Sequence, residues 1–467
     1  MPLRSGFDLG CGRVEVTESV LDAWRQVIAR SPEGIALVDP RNEEVDFRMI
    51  DARSDGLCEQ WRSLGMRERR LIALDLTNGV EWLCGFLACL KLGAVVAPLD
   101  PGFKKDEVEA LGKELRVQGI WSGTDLVQGC CERPMVFRNG EIEVCKLTSG
   151  STGSPKRLYF SRSEMVADAR RLIAGMGIRP DDVNLGLIPW GHSYGLGSVV
   201  YPLLLQGTAA TWTETPFPEE IGRVCRQAGC TLFPSVPTVL KALSRSDCEV
   251  DAFASLRLVI SAGARLDPDI ARAFGERFGK RVRNFYGSTE TGGICFDDTG
   301  KSALSGRSVG TPLPGVRIVP ARGNRFYVES DAVYRHGNSR RSEGGQGRAL
   351  VADFGGIDER GELVLEGRAV NLMKIGARRI NPLDIERRLL QIDGVSDAKV
   401  FALSRDGDAL IAAALESSLS RTELSGRMRE ALPLRLRPKK WFVYEQFPLT
   451  VRGKVNFSAI RKDFTSL

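Results

Sequence analysis

Leu71-Ile72-Ala73-Leu74-Asp75-Leu76 is followed, after a short polar link, by Val80 to Leu92 and Gly93, and then by Ala94-Val95-Val96-Ala97-Pro98-Leu99. The two outer runs are short and almost wholly apolar, as strands buried on both faces are. The middle run is long enough for a helix, and Gly93 stands where a helix stop is expected. Strand, helix, strand at this spacing is a βαβ unit, which implies a parallel sheet with helices on its faces. The pattern returns at Leu256 to Ser261, Asp267 to Phe278 and Val282 to Tyr286. Sheets of this kind bind ligands in the turns beyond the carboxyl ends of their strands.

Two stretches placed at such turns are rich in chemistry. One is Leu147-Thr148-Ser149-Gly150-Ser151-Thr152-Gly153-Ser154-Pro155-Lys156. Its glycines let the backbone approach a ligand closely, and its hydroxyls and terminal ammonium suit a polyphosphate. It is not a Walker A loop, because Pro155 precedes Lys156 and Arg157 follows it. Taken alone, a Ser/Thr/Gly run is also the composition of a solvated linker. The other stretch is Tyr286-Gly287-Ser288-Thr289-Glu290-Thr291. It offers an aromatic face, hydroxyls and a carboxylate in succession, which suits a purine, a phosphate and Mg²⁺ in a row.

Composition sets the outer limits. A chain of 467 residues, 43% apolar, is ample for one large body and a smaller one. The net charge of +6 is small for this length, and no basic block with interleaved aromatics appears, so nucleic-acid binding is not expected. A mildly basic surface suits anionic ligands. The 11 cysteines form no C-x-x-C pair and the two histidines are far apart, so buried free thiols are expected rather than a metal cluster or a disulfide framework. Met1 to Gly10 lacks a basic segment followed by an apolar core, so no signal peptide is expected. Gly195 to Trp212 is the most apolar long stretch, but it holds Pro202 and Gln206 and reads as a buried helix and strand. The expectation is a cytoplasmic protein with no integral membrane segment.

Tyr334 to Arg348 is dense in glycine and arginine and reads as a mobile surface loop. After Gly367-Arg368 the texture changes to a compact unit with short strands at Lys399 to Ala402 and Ala409 to Leu415. There Pro382 suits a helix start, with Ile385, Leu389 and Leu390 on one face. The expected fold is α/β: a large N-terminal body over 1–367 with mixed and parallel sheets flanked by helices, a hinge at 368–371, and a small mobile α+β domain over 372–467.

Several stretches, in order, resemble the adenylate-forming superfamily of acyl- and aryl-CoA synthetases, nonribosomal adenylation domains and luciferase. Besides the two turns above, Gly93 to Pro101 is similar to the family's early structural motif. Ser261-Ala262-Gly263-Ala264-Arg265-Leu266 looks like its adenine-flanking turn. Gly367 to Glu386 is similar to its hinge region, and Pro448 to Val455 to its terminal lysine loop. The resemblance covers the chain from about residue 30 onward. It implies ATP and Mg²⁺ as cofactors, a carboxylic acid as substrate, and CoA or the phosphopantetheine of an acyl carrier protein as thiol acceptor.

The same resemblance assigns roles. Thr148, Ser149, Gly150, Ser151, Thr152, Gly153 and Lys156 would hold phosphates. Thr289 would bond the α-phosphate, and Glu290 would bind Mg²⁺. Tyr286, Gly287 and Ser288, with Gly263, Ala264 and Arg265, would surround adenine. Asp353 and Arg368 would take the ribose. Lys454 would bridge carboxylate and α-phosphate during adenylation. Lys374 to Arg379 would border the thiol channel. His192, in Pro189-Trp190-Gly191-His192-Ser193-Tyr194-Gly195, looks like the acid-site histidine of acyl- and aryl-activating relatives, where amino-acid-activating ones carry aspartate. A hydrogen-bonded core histidine is the other reading. Trp190, Tyr194, Leu196 and Val236 are candidate pocket walls or core packing.

The chain departs from the family pattern in three places. The hinge is Ala369-Val370-Asn371, where Asp or Lys is usual. Val351-Ala352 stands before Asp353 in place of Thr-Gly. The segment from Pro314 to Asp353 is short. These departures bear more on thioester formation than on adenylation. A relative that makes a β-lactone or amide, and a non-catalytic ATP-binding relative, are the alternatives.

Overall fold

The computed structural model describes residues 19–467 except 100, 102, 104, 129–130, 139, 149–155, 214, 335, 338–346, 369–372, 376–377, 381, 406–407, 450–454 and 466–467. The chain divides into two compact units. The larger comprises Met1–Val319, Tyr327–Leu350 and Ile357–Val364, and the smaller comprises Pro320–Phe326, Val351–Gly356 and Leu365–Leu467.

Two wide sheets lie in the larger unit. In the seven-stranded one, Leu71–Leu74 pairs in parallel with Val95–Pro98 and with Gly119–Trp121, and Ile142–Thr148 joins the other side of Val95–Pro98. The helix between the first two strands spans Val80–Leu92, and Gly93 ends it in the left-handed region at φ 73°. A side chain at that φ is strained, so the expected glycine stop is a conformational requirement. The observed strands are shorter than the apolar runs that encode them, because the last residues of each run bend away toward the turns.

In the nine-stranded sheet, Leu232–Ser235, Leu258–Ser261 and Val282–Ser288 are parallel neighbours, with Ser235 opposite Ser261 and Ser261 opposite Asn284. Their carboxyl ends therefore lie side by side. The helix Pro268–Phe278 connects the last two strands. Asp267 caps it by accepting from the Asp269 amide, and Pro268 fills its first turn. A proline there sacrifices an N–H that has no helical partner in any case.

The main core gathers aromatic side chains from distant parts of the sequence. Trp82 stacks on Phe86 at 5.1 Å and meets Trp190 edge-on at 5.8 Å, while Trp190 meets Trp212 at 5.9 Å. Pairs in these geometries contribute about 0.5–1.5 kcal/mol each beyond their buried area. The apolar stretch after Gly195 forms a π-turn at Leu196–Val200, a helix at Tyr201–Gln206 and a strand at Ala209–Thr211. Among the described residues, no helix is long and apolar enough to cross a membrane.

The smaller unit contains a three-stranded sheet of Val395–Arg405, Asp408–Ser417 and Lys440–Tyr444. The expected strands Lys399 to Ala402 and Ala409 to Leu415 are the middles of longer hairpin arms that run to the ends of their register. Pro382 opens the helix Pro382–Leu389, and Ile385 and Leu389 are buried. Leu390 is a correction: it is 39% exposed because the helix ends at Leu389, one residue before it.

The nine described cysteines are free. Eight are buried and Cys131 is half-buried. Burial pushes the Cys84 and Cys145 thiols up to about 12.

Candidate active site

Thr148 ends one strand and Lys156 begins the next, and the two residues are register partners in an antiparallel pair. The loop between them is the expected phosphate loop. Ser149, Gly150, Ser151, Thr152 and Gly153 lie outside the described residues, as does the Thr148 side chain. The strand Lys156–Ser161 leads into the helix Arg162–Met176 through a capping box, in which Ser161 and Glu164 satisfy each other's backbone amides.

The second turn is a hairpin between Val282–Ser288 and Gly292–Phe296. Sterics fix its glycines. A Cβ on Gly287 would lie 2.7 Å from the Gly292 carbonyl oxygen. Gly292 has φ +69° and sits where a Cβ would come within 2.2 Å of the Asp168 carboxylate. Thr291 is fully buried, its hydroxyl 3.0 Å from that of Ser288. Ser288, expected at the nucleotide, is thus engaged in holding its own turn. Tyr286, Thr289 and Glu290 are half-buried at the tip.

These two turns, from different sheets, come together. Lys156 Nζ lies 3.7 Å from Glu290 Oε1, with the side chains 42% and 36% exposed. At that exposure an ion pair contributes less than about 1 kcal/mol, so it does little to hold the fold. A cation and a carboxylate at adjoining turn tips are the donor set for a metal-bound polyphosphate: ammonium to phosphate oxygens, carboxylate oxygen to a hard cation.

Tyr334 completes this corner and was not foreseen. Its amide donates to the Glu290 carbonyl at 3.1 Å, and Lys156 Nζ lies 5.9 Å from its ring centroid. Burial pushes its phenol up, and the Glu290 carboxylate adds to the effect. Its position at the head of a glycine- and arginine-rich run gave no sign of this role. Two residues on, His336–Gly337 pairs with Leu158 and Tyr159 as a short edge strand, so the start of the expected surface loop is sheet. Residues 335 and 338–346 of that loop lie outside the described residues.

The His192 loop is packed without slack. A Cβ on Gly191 would lie 2.5 Å from the Pro98 side chain, and one on Gly195 would lie 2.2 Å from the Pro189 carbonyl oxygen. His192 Nδ1 accepts from the Tyr194 amide at 3.3 Å. An accepting Nδ1 places the proton of the neutral ring on Nε2. The Tyr194 hydroxyl donates to the Ile260 carbonyl at 3.4 Å, its ring lies 5.4 Å from that of Phe285, and burial pushes its phenol far up. Trp190 and Leu196 are fully buried in the main core, whereas Val236 is half-buried at the end of Leu232–Ser235.

Beyond Leu258–Ser261, the Ala262 amide donates to the Ser235 carbonyl at 3.1 Å, and Gly263 turns the chain at φ +77°. Gly263, Ala264 and Arg265 are exposed on that turn. In the smaller unit, Asp353 is 6% exposed on the buried face of the strand Arg348–Ile357. Arg368 ends the strand Leu363–Arg368 with its side chain outside the described residues, and Lys454 lies outside them too.

Parallel strands with glycine-bracketed polar turns at their carboxyl ends define a nucleotide-binding α/β enzyme. The chain belongs to the AMP-binding enzyme family, the adenylate-forming ligases, and that family's pattern matches residues 24–132 and 140–325. It is 25% identical to 2-hydroxy-7-methoxy-5-methyl-1-naphthoate–CoA ligase of Streptomyces carzinostaticus, over 92% of this chain and 90% of that one. It is 24% identical to the medium-chain fatty-acid–CoA ligase of Escherichia coli (strain K12), over 95% and 90%. It is 26% identical to a linear gramicidin synthase protein of Brevibacillus parabrevis over 94% of this chain, which spans only 6% of that protein. Its fold is shared with ATP-bound MatB from Rhodopseudomonas palustris, at a TM-score of 0.82 and 19% identity, over 96% of this chain and 99% of that one.

Proposed function

We propose that this protein activates a carboxylic acid without an α-ammonium group, as its acyl adenylate, and then passes the acyl group to a thiol. The observation that carries the proposal is the approach of Lys156 to Glu290 at 3.7 Å from two different sheets. Relatives named as CoA ligases for an aryl and a fatty acid support the acid class. CoA or a carrier-protein phosphopantetheine is the acceptor, with His192 favouring a plain carboxylate.

In the first half reaction the acid's carboxylate attacks the α-phosphorus of ATP and pyrophosphate leaves. Two anions must approach, so cations are required. Lys156 takes the β- and γ-phosphates together with the Ser151 and Thr152 hydroxyls, and Lys454 bridges the reacting oxygens. Thr289 bonds the α-phosphate. Asp353 and Arg368 hold the ribose, and Tyr286 lies against adenine beside Gly263, Ala264 and Arg265. The half-exposed Glu290 carboxylate fits Mg²⁺, which takes few protein carboxylates and several phosphate and water oxygens. When bound, Mg²⁺ neutralises phosphate charge. In the second half reaction the thiol attacks the adenylate carbonyl and AMP leaves. The resemblance places a hinge at residues 368–371, between a body ending at 367 and a lid domain beginning at 372, and a swing there would serve the change between the two half reactions.

The deciding experiment is pyrophosphate release with ATP-Mg²⁺ across alkyl, aryl and amino acids, with and without CoA. Release with a single non-amino acid class supports the proposal, and an acyl-CoA product identifies the acceptor. Release restricted to amino acids would overturn the reading of His192. A product formed without any thiol would favour a β-lactone or amide former.

A further inference from the structure

Three charged side chains lie in the interior beneath this corner. Lys146 is 3% exposed on the strand Ile142–Thr148, just ahead of the phosphate loop. Glu164 and Asp168, on the helix Arg162–Met176, are 1% and 4% exposed. Burying charge is costly unless it is paired, so such a group is not neutral filling. Burial pushes the Lys146 ammonium down to about 8, while Asp168 and then Glu164 pull it back up. Lys146 Nζ also sits 4.1 Å from the ring centroid of Phe160 on the adjoining strand.

Two routes lead from this cluster to the Glu290 turn. In one, Asp168 Oδ1 accepts from the Gly293 amide at 2.8 Å, and its carboxylate fills the space where a Cβ of Gly292 would be. In the other, the Phe160 ring meets that of Tyr334 at 6.2 Å, and the Tyr334 amide donates to the Glu290 carbonyl at 3.1 Å. The first route holds the turn at Gly293 and the second at Glu290 itself. Phe160 lies on a strand that flanks the phosphate loop, and Asp168 lies on the helix that follows that strand.

We propose that Lys146, Phe160 and Asp168 form a buried strut that fixes the Glu290 turn against the phosphate-loop strands, and so sets the affinity for metal-bound nucleotide. They are positioning residues, since none of them is placed at the substrate. The proposal rests on the ATP reading above for its functional part, and for its structural part on the contacts of Asp168 with Gly293, Lys146 with Phe160, Phe160 with Tyr334 and Tyr334 with Glu290.

The test compares Asp168→Ala, Asp168→Asn and Lys146→Met with the wild type in two measurements. Hydrogen exchange of the ligand-free protein reads the turn directly. Asp168→Ala speeds exchange over residues 286–293, and Asp168→Asn, which keeps a carbonyl acceptor for the Gly293 amide, restores protection. In steady-state kinetics, Asp168→Ala and Lys146→Met raise the KM for ATP about tenfold or more with a smaller change in kcat, as expected of a displaced binding group. Asp168→Asn stays near wild type. Unchanged exchange in Asp168→Ala overturns the strut. Raised exchange with an unchanged KM overturns its link to nucleotide affinity. A wild type without turnover on any acid counts against the proposed function, and the exchange result still decides the strut.

Discussion

Lys156 and Glu290 reach each other from two different sheets, each more than a third open to solvent. On the proposed function, each charge holds the place of a later partner, and removing either would take away a transition-state contact. Lys156→Met and Glu290→Gln are expected to slow pyrophosphate release by about 10²–10³. Their thermal midpoints should stay close to wild type, because an exposed pair contributes less than about 1 kcal/mol. A large fall in midpoint would show that the pair holds the fold instead.

On the proposed function, Gly195 bears on the acid. Its Cα hydrogen faces the Pro189 carbonyl oxygen, where a methyl group would stand 2.2 Å away. Gly195→Ala must shift the loop that carries His192 while leaving the imidazole itself intact. Overpacking of this kind costs about 1–3 kcal/mol. The expected kinetic sign is a raised KM for the acid with the KM for ATP unchanged. Equal effects on both would mean that the loop does not serve the acid.

Asp182 gives the larger unit an acid-sensitive joint. Burial alone would raise its carboxyl. The Arg257 guanidinium, the Thr231 hydroxyl and the Arg179 amide outweigh that and hold it below the usual range. A depressed folded value means that the stabilisation is present above the unfolded pKa of about 3.9 and is lost as the pH falls through the folded value. Asp182→Asn is expected to cost about 2–3 kcal/mol at neutral pH, the range for a charge-assisted hydrogen bond. The gap from wild type should close in urea melts at progressively lower pH. A constant gap down to strongly acid pH would contradict this.

On the proposed function, Lys454 separates the two half reactions. Lys454→Ala should lose about 10²–10³ in pyrophosphate release, in line with other transition-state donors. Thioester formation from a supplied acyl adenylate should persist. Loss of both activities together would assign Lys454 a structural task.

The elements legible in the sequence are those whose ends are set by backbone chemistry. Gly93 and Pro268 mark helix boundaries because one needs a left-handed φ and the other lacks an N–H; the first boundary falls at the expected residue, while the helix expected from Asp267 begins at Pro268 with Asp267 as its cap. The strands stop short of Leu76 and Leu99, since an apolar residue is as content in the turn packing as in the ladder. Leu390 falls beyond its helix because periodicity does not show where a helix stops. In the candidate site, the residue types of Lys156 and Glu290 point to phosphate and metal, but their meeting depends on how two sheets pack. Tyr334 works through its amide and its ring in a tertiary contact, and neither has a sequence signature. Lys146 shares its strand with Glu143 and Thr148 and is meaningful only beside Asp168 and Glu164, which arrive from a helix.

The buried thiols bear on chemical self-protection. Cys145 runs into the phosphate loop and Cys295 runs out of the Glu290 turn, both with no exposed surface. An acyl adenylate is an electrophile that any accessible thiolate would capture. Burial pushes the Cys145 thiol up to about 12, so it stays protonated at neutral pH. On the proposed function, neither of these two sulfurs would compete with the incoming thiol for the acyl group.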